Sequence, residues 1–95
     1  MKRIEIIANQ AIEEEIIDLL TEIGYGESFT YLHPVFGRGE DKRREGSAVW
    51  PETNTQFIIY MTDPDGEKAL EKIDALKKDF PREGIKRWSM SADDD

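Results

Sequence analysis

The apolar residues of this chain form one pattern used twice, a strand, a helix and a second strand, with His33 to Asn54 held between the two copies. That middle stretch is about twenty residues long, whereas paired strands in a compact domain are usually joined by roughly two to five. The segments on either side both read as strands, so the length points to a functional loop rather than to a missed element. The stretch runs His33-Pro34-Val35-Phe36-Gly37-Arg38-Gly39, then a charge block from Glu40 to Glu45, then Gly46 to Pro51 with Trp50 inside.

Lys2 to Ala8 reads as a strand, with Ile4, Ile6 and Ile7 giving apolar character on both faces. Asn9 is the expected helix N-cap. From Ala11, the residues Ile12, Ile16, Leu19, Leu20 and Ile23 recur at helical spacing, with Glu13, Glu14 and Glu15 in the first turn as the helix dipole prefers. Gly24 suits the left-handed residue that ends such a helix. Ser28 to His33 reads as a second strand and Thr55 to Thr62 as a third. Asp63-Pro64-Asp65-Gly66 then hands over to a second helix, with Asp63 or Asp65 the expected cap. Ala69, Leu70, Ile73, Leu76 and Phe80 form its buried stripe, Lys77 and Lys78 occupy its last turn, and Pro81 stops it. Ile85 to Ser91, containing Trp88 and Met90, reads as a fourth strand.

This order is that of a ferredoxin-like βαββαβ fold of the α+β class, a four-stranded antiparallel sheet with two helices on one face. One domain is expected over residues 1–92, with the long loop at 34–53 and a disordered acidic tail at 93–95. Two helices cover only one face, yet Ile58 and Tyr60 set apolar groups opposite those of Phe57 and Ile59. The uncovered face is expected to bury itself by self-association, and a closed ring with sheets inward and helices outward would do so.

At 95 residues there is room for one domain, and a chain this small buries only roughly 60–65% of its unfolded surface, so self-association would also supplement a marginal core. Cysteine is absent, which leaves no disulfide framework or thiolate metal site and fits a cytoplasmic protein. No stretch is apolar and long enough for membrane insertion. The net charge of -8 argues against nucleic-acid binding, which needs a basic face. Basic residues nonetheless gather twice: Arg38, Lys42, Arg43 and Arg44 in the loop, and Lys77, Lys78, Arg82, Lys86 and Arg87 near the C-terminus. They read either as a solvated, salt-bridged surface or as two groups that meet to form an anion site.

No catalytic constellation and no metal set emerges, and an enzyme is not expected. His33 is the single histidine, which within one chain cannot build a histidine cage, and at a strand end it reads as structural. Phe36-Gly37-Arg38-Gly39 reads either as an ordinary turn or as an anion cradle. In the second case its glycines admit close approach and Arg38 offers a planar fork to phosphate or carboxylate. Trp50 and Trp88 read first as aromatics folded onto the body, and second as flat surfaces for stacking or partner contact.

The chain resembles the P-II-type signal-transduction proteins, small trimeric regulators of ferredoxin-like fold. The likeness lies in Lys2-Arg3-Ile4-Glu5-Ile6-Ile7, in the helix end Leu19-Leu20-Thr21-Glu22-Ile23-Gly24, and above all in Phe29-Thr30-Tyr31-Leu32 leading to Phe36-Gly37-Arg38. There the family has a Phe-Gly-Arg segment at the base of its long T-loop. The resemblance implies a homotrimer that binds an adenine nucleotide (ATP, ADP or AMP) as a regulatory ligand in clefts between subunits. It also implies that the loop contacts a regulated protein such as a transporter or an enzyme. Ligand contacts are then expected from Gly37, Arg38, Arg82, Lys86 and Arg87, and partner contacts from Lys42, Arg43, Arg44 and Trp50. Three departures matter. Gly39 stands where the family has a glutamine that helps bind 2-oxoglutarate, magnesium and ATP. No tyrosine lies between Pro34 and Phe57 to be uridylylated. The family's glycine-rich phosphate loop is reduced to Pro81-Arg82-Glu83-Gly84-Ile85-Lys86, and the likeness stops before the family's arginine-containing C-terminal extension. The alternative of the same fold is a CutA-type trimer serving divalent-cation homeostasis.

Overall fold

β-Branched residues at alternate positions make Lys2–Asn9 (β1) and Asn54–Met61 (β5) the two inner strands of a sheet. The computed structural model describes residues 1–38, 43–44 and 52–94, with the backbone only at Arg43 and Arg44. Thr30–Val35 (β2) pairs with β5, and Lys86–Ser91 (β6) pairs with β1, giving the antiparallel order β2-β5-β1-β6. Glu13–Glu22 (α1) and Asp63–Asp79 (α2) are the two helices. The βαββαβ sheet-and-helix order expected from the sequence is the one observed.

Alternation decides which side chains meet the helices. Ile4, Ile6 and Ala8 of β1, with Thr55, Phe57, Ile59 and Met61 of β5, point to one side and are fully buried. Ile16, Leu19 and Leu20 of α1, with Ala69 and Ile73 of α2, close over them. Burying side chains of this size stabilises by about 1.5–3 kcal/mol each, so the core rests on roughly a dozen residues. Phe29 and Tyr31 cap it at the β2 edge, each with its ring centroid within 5.7 Å of the Phe57 centroid.

The local signals refine the sequence expectations. Asn9 is indeed a cap, its Oδ1 accepting from the Ala11 N–H at 3.0 Å. The element it caps is a 3-10 turn at Gln10–Ile12, and the α-helix begins only at Glu13. Gly24 takes φ +91°, the left-handed region where a Cβ is penalised. The α2 cap is Thr62, not Asp63 or Asp65. Pro64 fits within the first turn, where no backbone donor is needed, so the capping residue must precede it. Asp63 and Asp65 lie inside that turn instead, favoured by the dipole. Tyr25 then pins the α1–β2 connection to α2, its hydroxyl donating to Asp65 Oδ2 at 2.7 Å.

Two differences concern the long connection. β2 extends to Val35, beyond His33, and its register shifts between Leu32 and Val35, where Pro34 has no N–H to give the ladder. The connection is also not wholly irregular: Gly37–Arg38 (β3) pairs antiparallel with Arg43–Arg44 (β4) as a short separate ribbon. The expected partner contacts Lys42 and Trp50 lie outside the described residues, as does Gly39.

Candidate functional site

Strand direction brings several chain segments to one end of the sheet. Asn9 ends β1, Asn54 begins β5, Val35 ends β2 and Lys86 begins β6, and the registers set Asn9 opposite Asn54, Asn54 opposite Val35, and Ile7 opposite Lys86. Both roots of the long connection and the start of the last strand therefore share this end.

The C-terminal root is tied down by polar contacts. Asn9 Nδ2 donates to Glu52 Oε2 at 2.8 Å, the Gln10 N–H donates to the Thr53 carbonyl at 2.9 Å, and Thr53 Oγ1 donates to Gln10 Oε1. Thr55 Oγ1 reaches Glu13 Oε2 at 2.7 Å, and the Asn9 N–H donates to the Glu83 carbonyl at 3.0 Å. The β1–α1 turn is thus a hub holding both the loop root and the α2–β6 connection. A shallow polar hollow of about 260 Å³ opens there, lined by Asn9, Gln10, Ala11, Glu52 and Thr53. The N-terminal root lies beside the start of β5. Gly37 packs so close to Asn54 that a Cβ would stand 3.4 Å from Asn54 Nδ2, and Arg38 is exposed.

Of the two readings the sequence left open, one had the basic groups meet to form an anion site. Within one protomer they share an end of the sheet but not an edge. Gly37 and Arg38 follow β2, while Arg82, Lys86 and Arg87 belong to the opposite β6 edge, three strand spacings or roughly 14 Å across. Arg82 and Lys86 are exposed. Arg87 points to the helix side and forms a two-bond pair with Asp74 of α2, Nε to Oδ1 at 3.1 Å and Nη2 to Oδ2 at 2.9 Å. That pair holds the Asp74 carboxyl below its ordinary pKa and raises the Arg87 guanidinium.

The face away from the helices is where the fold leaves apolar surface open. Tyr60, Trp88 and Met90 are 52%, 44% and 48% exposed, and Ile7 and Ile58 are half-buried beside them. Trp88 is not folded onto the body, because strand alternation sends Arg87 to the helices and Trp88 to the open side. Among these residues Arg3 Nη1 donates to Glu5 Oε1 at 3.0 Å. That bond, with help from Tyr60, raises the Arg3 guanidinium above its ordinary pKa. Sequence reasoning missed the Asn9–Glu52 tie and the packing of Gly37 against Asn54. The one signal available was that polar residues, Asn9 and Asn54, close off otherwise apolar strands at matching positions.

The family model for nitrogen regulatory protein P-II matches residues 1–88. No curated protein matches the chain. Among solved structures, CPII from Thiomonas intermedia K12 bound to ADP and bicarbonate superposes with a TM-score of 0.76 at 21% identity, covering 94% of this chain and 82% of that one. The same protein bound to ADP, AMP and acetate gives 0.72 at 19% identity, covering 93% and 81%. A PII-like signaling protein from Thermus thermophilus gives 0.68 at 18% identity, covering 94% and 83%. These likenesses are likenesses of fold.

Proposed function

This chain belongs to the nitrogen regulatory protein P-II family, and on that premise we propose that it is a non-enzymatic, trimeric cytoplasmic regulator. It binds an adenine nucleotide and a small anion in clefts between subunits and signals to a partner protein through its long loop. The observation that carries this reading is the placement of the two basic groups. They share one end of the sheet but flank opposite edges, β2 and β6, and the face between those edges carries exposed Tyr60, Trp88 and Met90. Closing three protomers into a ring buries that face and sets the loop root of one chain against the β6 edge of the next.

In the resulting seam, Gly37 lets the backbone approach the ligand and Arg38 supplies a fork for phosphate or carboxylate. Arg82 and Lys86 come from the neighbouring edge. Arg87, held by Asp74, keeps β6 against α2 and the edge in place. A ligand that bridges the seam alters the Gly37–Arg38 ribbon and hence the presentation of Lys42, Arg43, Arg44 and Trp50. The fold relatives bound to ADP, AMP and bicarbonate support the choice of ligand class.

Sedimentation combined with calorimetry against ATP, ADP, AMP and bicarbonate tests the reading. A trimer that binds a nucleotide, and loses most of that affinity in Arg38→Ala, is the expected result. A monomer at micromolar concentration overturns it. A chain that ignores nucleotides and anions but takes up a divalent cation favours the CutA-type alternative instead.

A further inference from the structure

We propose that the groove between α1 and α2 docks a basic, amphipathic helical segment of a partner protein. An arginine of that segment sits at the groove's acidic end and an apolar side chain on its floor. The site lies on the helix side of the sheet, apart from the seam proposed above, and a ring with its helices outward leaves it open.

Two stripes build the groove. Glu15, Leu19 and Glu22 recur along one face of α1, and Lys72, Leu76 and Asp79 along one face of α2. Each set spans two turns, roughly 10 Å, and an open hollow of about 360 Å³ lies between them. Lys72 Nζ meets Glu22 Oε1 at 3.1 Å and closes one end. The helices run antiparallel, since each follows one of two antiparallel inner strands. The other end therefore joins the start of α1 to the end of α2, bringing Glu15 and Asp79 together with Asp18 beside them. Among the described residues no cation stands within ion-pair distance of these three carboxylates. Asp79 is moreover the last residue of α2, where the helix dipole is negative. Glu15 is half-buried in the wall, and its Oε2 is out of solvent without a donor.

Charge and floor together select the occupant. The groove sets four carboxylates against one ammonium, and the chain carries -8 overall, so an acidic segment is repelled and a basic one is steered in. A guanidinium at the mouth forks between carboxylates. Its field offsets the cost of the shielded Glu15 oxygen without having to reach it. The floor is Leu19 and Leu76, with Ala75 too short to fill the space above them. An apolar side chain seated there loses its contact with water. A helix presents arginine and leucine on one face when they stand four residues apart, which matches a groove two turns long. The acidic end adjoins the loop root, where Thr55 Oγ1 donates to Glu13 Oε2, and this puts loop and groove within reach of one partner.

Fluorescence anisotropy tests this, titrating the intact protein into labelled helical peptides about twelve residues long. One peptide carries leucine and arginine four apart, a second has glutamate for arginine, and a third has serine for leucine. The first is expected to bind, the second not at all, and the third at least about fivefold more weakly. Asp18→Asn with Asp79→Asn should weaken the first peptide by about fivefold or more. Glu14→Gln with Glu71→Gln makes the same charge change at exposed positions outside the groove and should leave binding within about twofold. Ala75→Lys plants a cation in the groove and should abolish binding. All five positions are exposed, so circular dichroism should report an unchanged fold. No binding of the first peptide overturns the inference. Equal weakening by the two paired variants also overturns it and assigns the attraction to overall charge. Sedimentation without peptide, showing self-association that Ala75→Lys removes, would assign the groove to a second copy and likewise overturn it. None of these readings depends on nucleotide binding, so the proposed function stands or falls separately.

Discussion

The two faces of the sheet come from the same strands and differ only in parity. On one, Ile4, Ile6, Phe57, Ile59 and Met61 are sealed beneath two helices. On the other, Arg3, Glu5 and Lys86 are interleaved with Ile7, Ile58, Tyr60, Trp88 and Met90. The covered face is apolar at its centre, and its polar members are paired at the margin, Thr55 with Glu13 and Arg87 with Asp74. The open face mixes large apolar groups with an ion pair, which is the composition of a surface that meets water in one state and a partner in another. If the open face is the one buried in the proposed ring, the comparison separates stability from assembly, and substitutions on each face should affect different measurements.

The largest effect is expected from Phe57→Ala, which empties the centre of the covered face. It should lower unfolding free energy by about 3–5 kcal/mol in a denaturant titration. A loss below about 1 kcal/mol would mean the rings of Phe29 and Tyr31 collapse into the space. Next comes Trp88→Glu on the open face. It should weaken self-association by about 2 kcal/mol or more, seen as dissociation on dilution in sedimentation, while the circular dichroism of the fold is kept. An unchanged sedimentation profile would break the contrast between the faces.

Smaller changes sharpen it. Thr62→Ala removes the α2 cap on the covered side. It should cost about 0.5–1 kcal/mol, the lower part of the usual range, because the bond to the Asp65 N–H is long at 3.4 Å. The smallest effect is electrostatic. Arg87 depresses the Asp74 carboxyl in the folded chain, so the pair's stabilisation is complete above the ordinary carboxylate pKa and drains as pH falls through the depressed value. Asp74 is about half exposed, so screening leaves this worth well under about 1 kcal/mol. Asp74→Asn should flatten the acid limb of stability against pH without altering stability's dependence on pH in the neutral range.

Much of this fold can be read from local chemistry. The inner strands announce themselves by β-branched alternation, and the end of α1 by Gly24, which no Cβ-bearing residue replaces without strain at φ +91°. The sequence points to the wrong cap for α2 because Thr62, Asp63 and Asp65 are all good caps in isolation. Only the position of Pro64 in the first turn selects Thr62. The candidate site is less legible. Gly37, Arg38 and Lys86 can be picked out by residue type, but the contacts that position them join distant segments. Asn9 and Glu52 are 43 residues apart in sequence, and no spacing rule links them.

The separation of the basic groups onto opposite edges has a genetic consequence. If each cleft draws its loop root from one chain and its β6 edge from the next, two differently crippled chains can repair each other. Mixing Arg38→Ala protomers with Lys86→Ala protomers would regenerate about one intact cleft in four by chance pairing around a threefold ring. Neither parent alone would hold any, so complementation between two inactive alleles would reveal a site that no single chain contains.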